Sequence, residues 1–143
     1  MSQAQFTCQI HAPFERIWRT LMDEIEHPES YNPGILGVQI LERFHDGVLR
    51  SVSVPDADVR EKVVYDYDKR KIQSSLVGHP SLVGILTKEI KEDETNPGCF
   101  QIESNFEWES VDEKVDMMIR RNMEAFIMRG LDQVRKKAEE NEH

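Results

Sequence analysis

The sequence predicts a single α+β domain over residues 1–143, in which a curved antiparallel sheet of about seven strands wraps around a long C-terminal helix. The chain has 143 residues, which is the length of one ordinary domain. Between residues 37 and 110, apolar and polar residues alternate almost throughout, as is typical of consecutive strands with one solvated face. Beyond residue 110, apolar residues recur at helical spacing instead, which indicates one long amphipathic helix.

The first two elements are a strand and an amphipathic helix. Residues 4–11 alternate, with Phe6, Cys8 and Ile10 on one side, and therefore predict a strand. Pro13 suits the start of a helix, because the N–H that proline lacks has no partner in the first turn. The apolar stripe of this helix consists of Phe14, Ile17, Trp18, Leu21, Met22 and Ile25. His27-Pro28 ends the helix, and residues 28–33 leave room for one short further turn.

Six further strands follow in close succession. They are predicted at residues 37–44, 47–54, 58–67, 70–77, 81–92 and 98–109. The breaks between them carry turn residues, among them Asp46-Gly47, Asp68-Lys69 and Asn96-Pro97-Gly98. Connections this short join neighbouring antiparallel strands, so the six strands are expected to form a meander.

The final segment, from residue 111 to about residue 140, predicts a helix some 40 Å long at ~1.5 Å per residue. Its apolar stripe consists of Val111, Val115, Met118, Ile119, Met123, Phe126, Ile127, Leu131 and Val134. The apolar face of the sheet needs a cover, and this stripe is the largest one in the sequence. We expect side chains not to fill the interior of so curved a sheet, so that a cavity remains between sheet and helix.

Composition narrows the classes of function. The net charge of -9 disfavours nucleic acid and anionic membrane surfaces, because both require a basic surface on the protein. No apolar stretch approaches the ~20 residues that cross a bilayer, and no signal peptide is recognisable, so we expect a cytoplasmic protein without membrane insertion. Cys8 is predicted on an apolar face and Cys99 on a polar one, which argues against a disulfide. The five histidines are scattered, and neither a metal nor a cofactor is predicted.

The order of these elements resembles the helix-grip fold of the SRPBCC superfamily, which includes START domains, birch-pollen-allergen relatives, aromatase/cyclases and chaperone-activator domains. The residues that carry the resemblance extend over nearly the whole chain and include Pro13, Trp18, residues 28–33, residues 38–42 and Phe106-Glu107-Trp108. The motifs Leu49-Arg50-x-Val52 and Arg60-Glu61-x-Val63 look most like the small AtaL-like subgroup. The resemblance implies a ligand-binding, START-like domain with a hydrophobic cavity, and it supplies no catalytic residues.

Arg50 and Glu61 are the leading candidates for ligand binding. Each shares a strand face with apolar residues, so both charges are predicted to point inward, where an unpaired charge is costly. Neighbouring antiparallel strands would bring the two side chains together. They then form either a salt bridge that stabilises the sheet or a polar anchor for a carboxylate, carbonyl or phenol of a ligand. A bulge that shifts the register by one residue would turn both charges out to solvent.

The other candidate ligand contacts are apolar or aromatic. Val63 and Tyr65 share the face of Glu61, although tyrosines on half-buried strands usually only pack. Phe100 and Ile102 are candidates for the cavity wall, whereas Trp108 on the same face is assigned to the core. On the long helix, Met118 and Met123 lie on the apolar stripe and suit an adaptable wall, although such a stripe is more often plain core.

The sequence is compatible with three functions. The sequence favours a non-catalytic carrier or sensor for a small apolar or aromatic molecule, such as a lipid, acting as a monomer or weak dimer. The first alternative is a polyketide cyclase/dehydratase-like enzyme that uses Arg50, Glu61 and Tyr65 to move protons, although no defensible catalytic constellation is visible. The second alternative is a protein-interaction module of the chaperone-activator type, against which stands the lack of an obvious exposed apolar patch.

Overall fold

The structure is a computed structural model that describes residues 2–55 and 57–140. Within these residues, the chain forms seven strands and two α-helices, with a short 3₁₀ turn at Pro28–Ser30. The elements are β1 (Ser2–Ile10), α1 (Phe14–Glu26), β2 (Gly37–Phe44), β3 (Gly47–Val54), β4 (Ala57–Asp66), β5 (Lys71–Leu76), β6 (Leu82–Glu92), β7 (Phe100–Ser110) and α2 (Glu113–Glu140). This arrangement confirms the predicted α+β helix-grip fold.

All seven strands belong to one antiparallel sheet in the order β1-β7-β6-β5-β4-β3-β2. Each strand from β2 to β7 pairs with its neighbours in sequence, as a meander requires, and β1 pairs with β7. The first two strands of the chain therefore lie at opposite edges of the sheet. The segment between them, which contains α1 and the 3₁₀ turn, carries the chain from one edge to the other.

The first residue of β3 must be a glycine for steric reasons. A Cβ atom at Gly47 would lie 2.0 Å from the backbone oxygen of Val63 on the next strand, which is far inside van der Waals contact. Glycine therefore lets β3 and β4 approach each other at this point. The bulge in this region lies in β2, between Ile40 and Glu42, and leaves the pairing of β3 with β4 regular.

The two halves of α2 are packed differently. In the C-terminal half, Leu131, Val134 and Ala138 are buried, and the helix packs against β1 and α1. At the N-terminal end, Val111 lies just before the helix and is exposed. Met118, in the N-terminal half of the helix, is 55% exposed. Their predicted place on the buried stripe is wrong, because Val111 lies before the first turn of the helix and Met118 faces solvent, whereas the adjacent Ile119 is buried.

The turn between β6 and β7 is organised by a carboxylate. Asp93 accepts hydrogen bonds from the Thr95 backbone N–H, from the Thr95 hydroxyl and from Gln9 Nε2, the last at 2.6 Å. These bonds, those from Thr95 above all, lower the pKa of Asp93 from 3.8 to about 2, because they stabilise the ionised form. The ionised carboxylate thus fastens this turn to β1.

The two cysteines are free, and Cys99 does not have the environment that was predicted for it. It precedes β7 and is buried, with its Sγ 3.0 Å from His11 Nδ1, so its assignment to a polar strand face is wrong. The cause is that β7 begins only at Phe100, which places Cys99 in the turn, where strand alternation does not apply. Cys8 is half-buried on β1, opposite Ile102.

Candidate functional site

A cavity of about 320 Å³ lies between the inner face of the sheet, the end of α1 and the middle of α2. Its lining is mainly apolar, and six of the lining residues are Val52, Val59, Leu76, Leu86, Phe106 and Ile127. Strands β3 to β7 all contribute to it, so the cavity lies against the centre of the sheet. Its size falls at the lower end of the range of small-molecule sites, which is roughly 300–1,000 Å³.

Glycine and aromatic residues shape the wall formed by β6 and β7. A Cβ atom at Gly84 would lie 3.1 Å from side-chain atoms of both Leu76 and Phe106. Because Gly84 has no side chain, the Phe106 ring can occupy this space in the cavity wall. Phe106 in turn stacks on Trp108 with ring centroids 5.2 Å apart, and Trp108 Nε1 donates a hydrogen bond to Asp116 in the first turn of α2.

Arg50 and Glu61 form an ion pair on the cavity lining. They are directly opposite each other on β3 and β4, and Arg50 Nη2 lies 3.1 Å from Glu61 Oε1. The side chains are only 11% and 21% exposed. Arg50 Nη1 also donates a hydrogen bond to the backbone oxygen of Ile25, at 2.8 Å. Arg50 therefore joins the sheet to the last turn of α1 as well as neutralising Glu61.

A second ion pair lines the same cavity. Lys88 Nζ on β6 lies 2.7 Å from Glu24 Oε1 on α1, and the side chains are 17% and 14% exposed. The backbone oxygen of Glu24 is also 3.5 Å from Arg50 Nη1, so both ion pairs lie around the C-terminal end of α1. The cavity thus has one charged end with no net charge, while most of its remaining wall is apolar.

In each ion pair, one carboxylate oxygen accepts no hydrogen bond from the described residues. Glu24 Oε1 and Glu61 Oε1 contact their cationic partners, but neither Oε2 accepts a hydrogen bond from any residue in the described part of the chain. Neither Oε2 atom is sealed inside the protein, and both residues line the cavity. The charged end therefore presents two accessible hydrogen-bond acceptors.

The structure brings three of the eight sequence-predicted ligand contacts to the cavity lining. These are Arg50, Glu61 and Met123. The other five lie elsewhere. Val63 and Ile102 are fully buried in the core, and Tyr65 is packed against that core without lining the cavity.

Phe100 and Met118 are also away from the cavity. Phe100 lies in an aromatic cluster with Phe14, 6.4 Å between ring centroids, where the Arg70 guanidinium covers both rings. Met118 lies on the exposed N-terminal half of α2. Of the eight predicted ligand contacts, Arg50, Glu61 and Met123 are therefore the ones that border the cavity.

Sequence reasoning missed Glu24, Lys88 and Phe106 as lining residues. A signal for Lys88 is present, because it interrupts the apolar alternation of Leu82, Leu86 and Ile90 on one face of β6. Glu24 carries no such signal, since it belongs to the polar side of α1 in the helical pattern. Its inward position depends on how α1 lies across the end of the sheet.

Neither a metal-binding cluster nor a membrane-spanning helix is found in the described residues. Among residues 2–55 and 57–140, no group of three or more His, Cys, Asp or Glu side chains is arranged to hold a metal ion. Neither described helix combines the length and the apolar character that a membrane span requires.

A curved sheet that grips a C-terminal helix and leaves a cavity between sheet and helix defines a START-like protein of the helix-grip class. Over residues 1–139 the chain matches the family described as "Polyketide cyclase / dehydrase and lipid transport". The chain belongs to this family. The comparison with curated proteins gives no match.

Solved structures from several bacteria share the fold. A Thermus thermophilus protein is 12% identical with a TM-score of 0.80, and the match covers 99% of this chain and 100% of that one. A START superfamily protein from Mycobacterium smegmatis is 14% identical with a TM-score of 0.72, covering 96% and 97%. The ZhuI aromatase/cyclase from a Streptomyces species is 16% identical with a TM-score of 0.72, covering 96% and 93%. Identities this low establish the fold, and a fold alone does not define a function.

Proposed function

We propose that this protein binds a small apolar or aromatic molecule in the cavity between the sheet and α2, as a carrier or sensor in the cytoplasm. The observation that carries the proposal is the mainly apolar cavity of about 320 Å³ with two ion pairs at one end. A wall of this kind removes apolar ligand surface from water, while a few polar groups fix the orientation of the ligand.

The cavity volume limits the size of the ligand portion that the protein can enclose. If each non-hydrogen atom occupies about as much space as one water does in the liquid, roughly 30 Å³, the cavity holds a molecule of about ten atoms. A one- or two-ring aromatic compound or a short branched lipid fragment fits this limit. At roughly 0.5 kcal/mol of binding free energy per atom, the expected dissociation constant lies in the range of hundreds of micromolar.

An enzyme of the cyclase/dehydratase kind is the second candidate. It is favoured by the family description and by titratable side chains, Glu24, Glu61 and Lys88, on the cavity lining. Tyr65, the third residue that this alternative required, does not line the cavity, and the cationic groups are already engaged in ion pairs. The carrier function therefore has the stronger support.

The proposal is tested first by native and then denaturing mass spectrometry of the purified protein, which detects a co-purified small molecule. A titration with 2-naphthol then compares two variants of adjacent residues on β5. Ser74 lines the cavity and Gln73 is exposed on the outer face. Ser74→Phe fills the cavity and is expected to abolish binding, whereas Gln73→Phe is expected to bind as the unchanged protein does. Equal binding by both variants would place the ligand elsewhere and refute the proposal.

A further inference from the structure

We infer that the charged end of the cavity selects ligands that carry a hydroxyl group, such as a phenol, over ligands that carry a carboxylate or only a hydrogen-bond acceptor. The inference rests on the proposed function and specifies the chemistry of the same site. It follows from which hydrogen-bonding groups of the two ion pairs are already used inside the protein and which remain accessible.

The acceptors are accessible. Glu24 and Glu61 each use Oε1 in an ion pair, and each keeps an Oε2 that no described residue engages and that retains contact with solvent, on residues that line the cavity. A carboxylate oxygen is a strong acceptor, and hydrogen bonds to charged groups are stronger than those between neutral groups. A ligand O–H that points towards the C-terminal end of α1 can therefore donate a hydrogen bond to one of these carboxylate oxygens.

On Arg50, most of the N–H donors are either hydrogen-bonded inside the protein or buried. Arg50 Nη1 donates to the backbone oxygens of Ile25 and Glu24, Nη2 donates to Glu61, and Nε is buried. Lys88 uses one N–H on Glu24, and an ammonium group has three. Arg50 keeps one N–H on Nη2 and Lys88 keeps two, so Lys88 has the most hydrogens to donate to the oxygen of the same ligand hydroxyl.

A hydroxyl is the group that satisfies both kinds of partner, because it donates one hydrogen bond and accepts others. An ether or ketone oxygen can accept a hydrogen bond but cannot donate one. It therefore displaces water from the carboxylate oxygens without replacing the hydrogen bonds that the water donated to them. A ligand carboxylate faces two carboxylate oxygens whose charge the protein has already balanced, and like charges at this depth repel each other strongly. The expected order of affinity is therefore hydroxyl, then ether, then carboxylate.

Three probes with the same ring system separate these chemistries. They are 2-naphthol, 2-methoxynaphthalene and 2-naphthoate, titrated at pH 7 and followed by probe or tryptophan fluorescence. One hydrogen bond to a charged acceptor predicts that 2-naphthol binds about tenfold more tightly than 2-methoxynaphthalene. 2-Naphthoate is expected to bind least tightly.

Glu61→Gln and Glu24→Gln change the acceptor while keeping the shape of the side chain. In each variant the amide oxygen is expected to turn towards the cation, Arg50 or Lys88, which leaves the NH₂ group facing the cavity. The preference for 2-naphthol should shrink and the affinity for 2-methoxynaphthalene should rise. Glu89→Gln is the matched control, because Glu89 pairs with Lys71 and does not line the cavity.

The outcomes distinguish this inference from the proposed function. Equal affinities for 2-naphthol and 2-methoxynaphthalene, or tightest binding of 2-naphthoate, would overturn the selectivity and leave ligand binding in the cavity standing. Failure of all three probes to bind would overturn the proposed function. A preference for 2-naphthol that Glu89→Gln retains and either cavity variant loses is the result that supports the inference.

Discussion

The ion pair between Arg50 and Glu61 allows a quantitative test of how the cavity end is held together. In Arg50→Met, the Glu61 carboxylate loses its partner while only 21% exposed, and the Ile25 backbone oxygen loses a donor. Breaking a buried ion pair from one side costs about 3–5 kcal/mol. Because the pair borders a cavity, it keeps some contact with solvent, and we expect a loss of about 2–3 kcal/mol in the free energy of unfolding.

The double variant Arg50→Met/Glu61→Leu removes both charges and leaves neither unpaired. Replacement of a buried pair by apolar residues is close to neutral in other proteins, so the double variant should be more stable than Arg50→Met alone. Urea unfolding followed by the fluorescence of the buried Trp18 and Trp108 measures each step of the cycle. In a melting experiment, Arg50→Met should lower Tm by about 5–10 °C.

The control cycle uses the same residue types at the surface. Arg43 and Glu26 are 2.6 Å apart, but their side chains are 63% and 34% exposed, so their coupling energy should stay below about 1 kcal/mol. Additive losses in the Arg50–Glu61 cycle, or a coupling no larger than that of the control, would refute the argument that burial makes this pair interdependent.

Further predictions concern packing and pH. Gly47→Ala should cost about 2 kcal/mol or more in unfolding free energy, because a Cβ there meets backbone; Gly37→Ala, which has open space, should cost far less. Leu131→Ala should cost about 2–5 kcal/mol in unfolding free energy because Leu131 is buried, and Met118→Ala less than about 0.5 kcal/mol because Met118 is exposed. The lowered pKa of Asp93, about 2, means that its contribution to stability is present above pH 4 and is lost as pH falls towards 2. Acid unfolding curves of Asp93→Asn should therefore show less loss over this interval than those of the unchanged protein.

The fold was predictable because each element carries a repeating pattern. Period-two alternation located all seven strands, and it also predicted that Arg50 and Glu61 face inward, where the structure pairs them. Such patterns are local, since they depend only on which side of a strand a residue occupies. The turn residues then fixed the meander, because short connections leave few alternatives.

The cavity wall was less predictable because it depends on distances between elements that are remote in sequence. Phe100 and Phe106 lie on the same face of β7, yet only Phe106 lines the cavity. Met118 and Met123 both belong to the helical stripe, but only Met123 lies over the open interior. No local sequence pattern specifies at which point along a strand or helix the facing element becomes too distant for direct packing, which is where the cavity opens.

The position of β1 at the sheet edge has a consequence for the time course of folding. β2 to β7 can pair one after another as the chain is made, because a short connection joins each strand to the next, whereas β1 can pair only after β7 has been made. Gln3 and Asn105, which share a side-chain hydrogen bond, are 102 positions apart. Contacts between such distant residues form slowly, because a long loop must close before they are gained. Since α2 packs on β1 as well, the first strand and the last helix are expected to dock in one late event, and the cavity that α2 borders is completed only then.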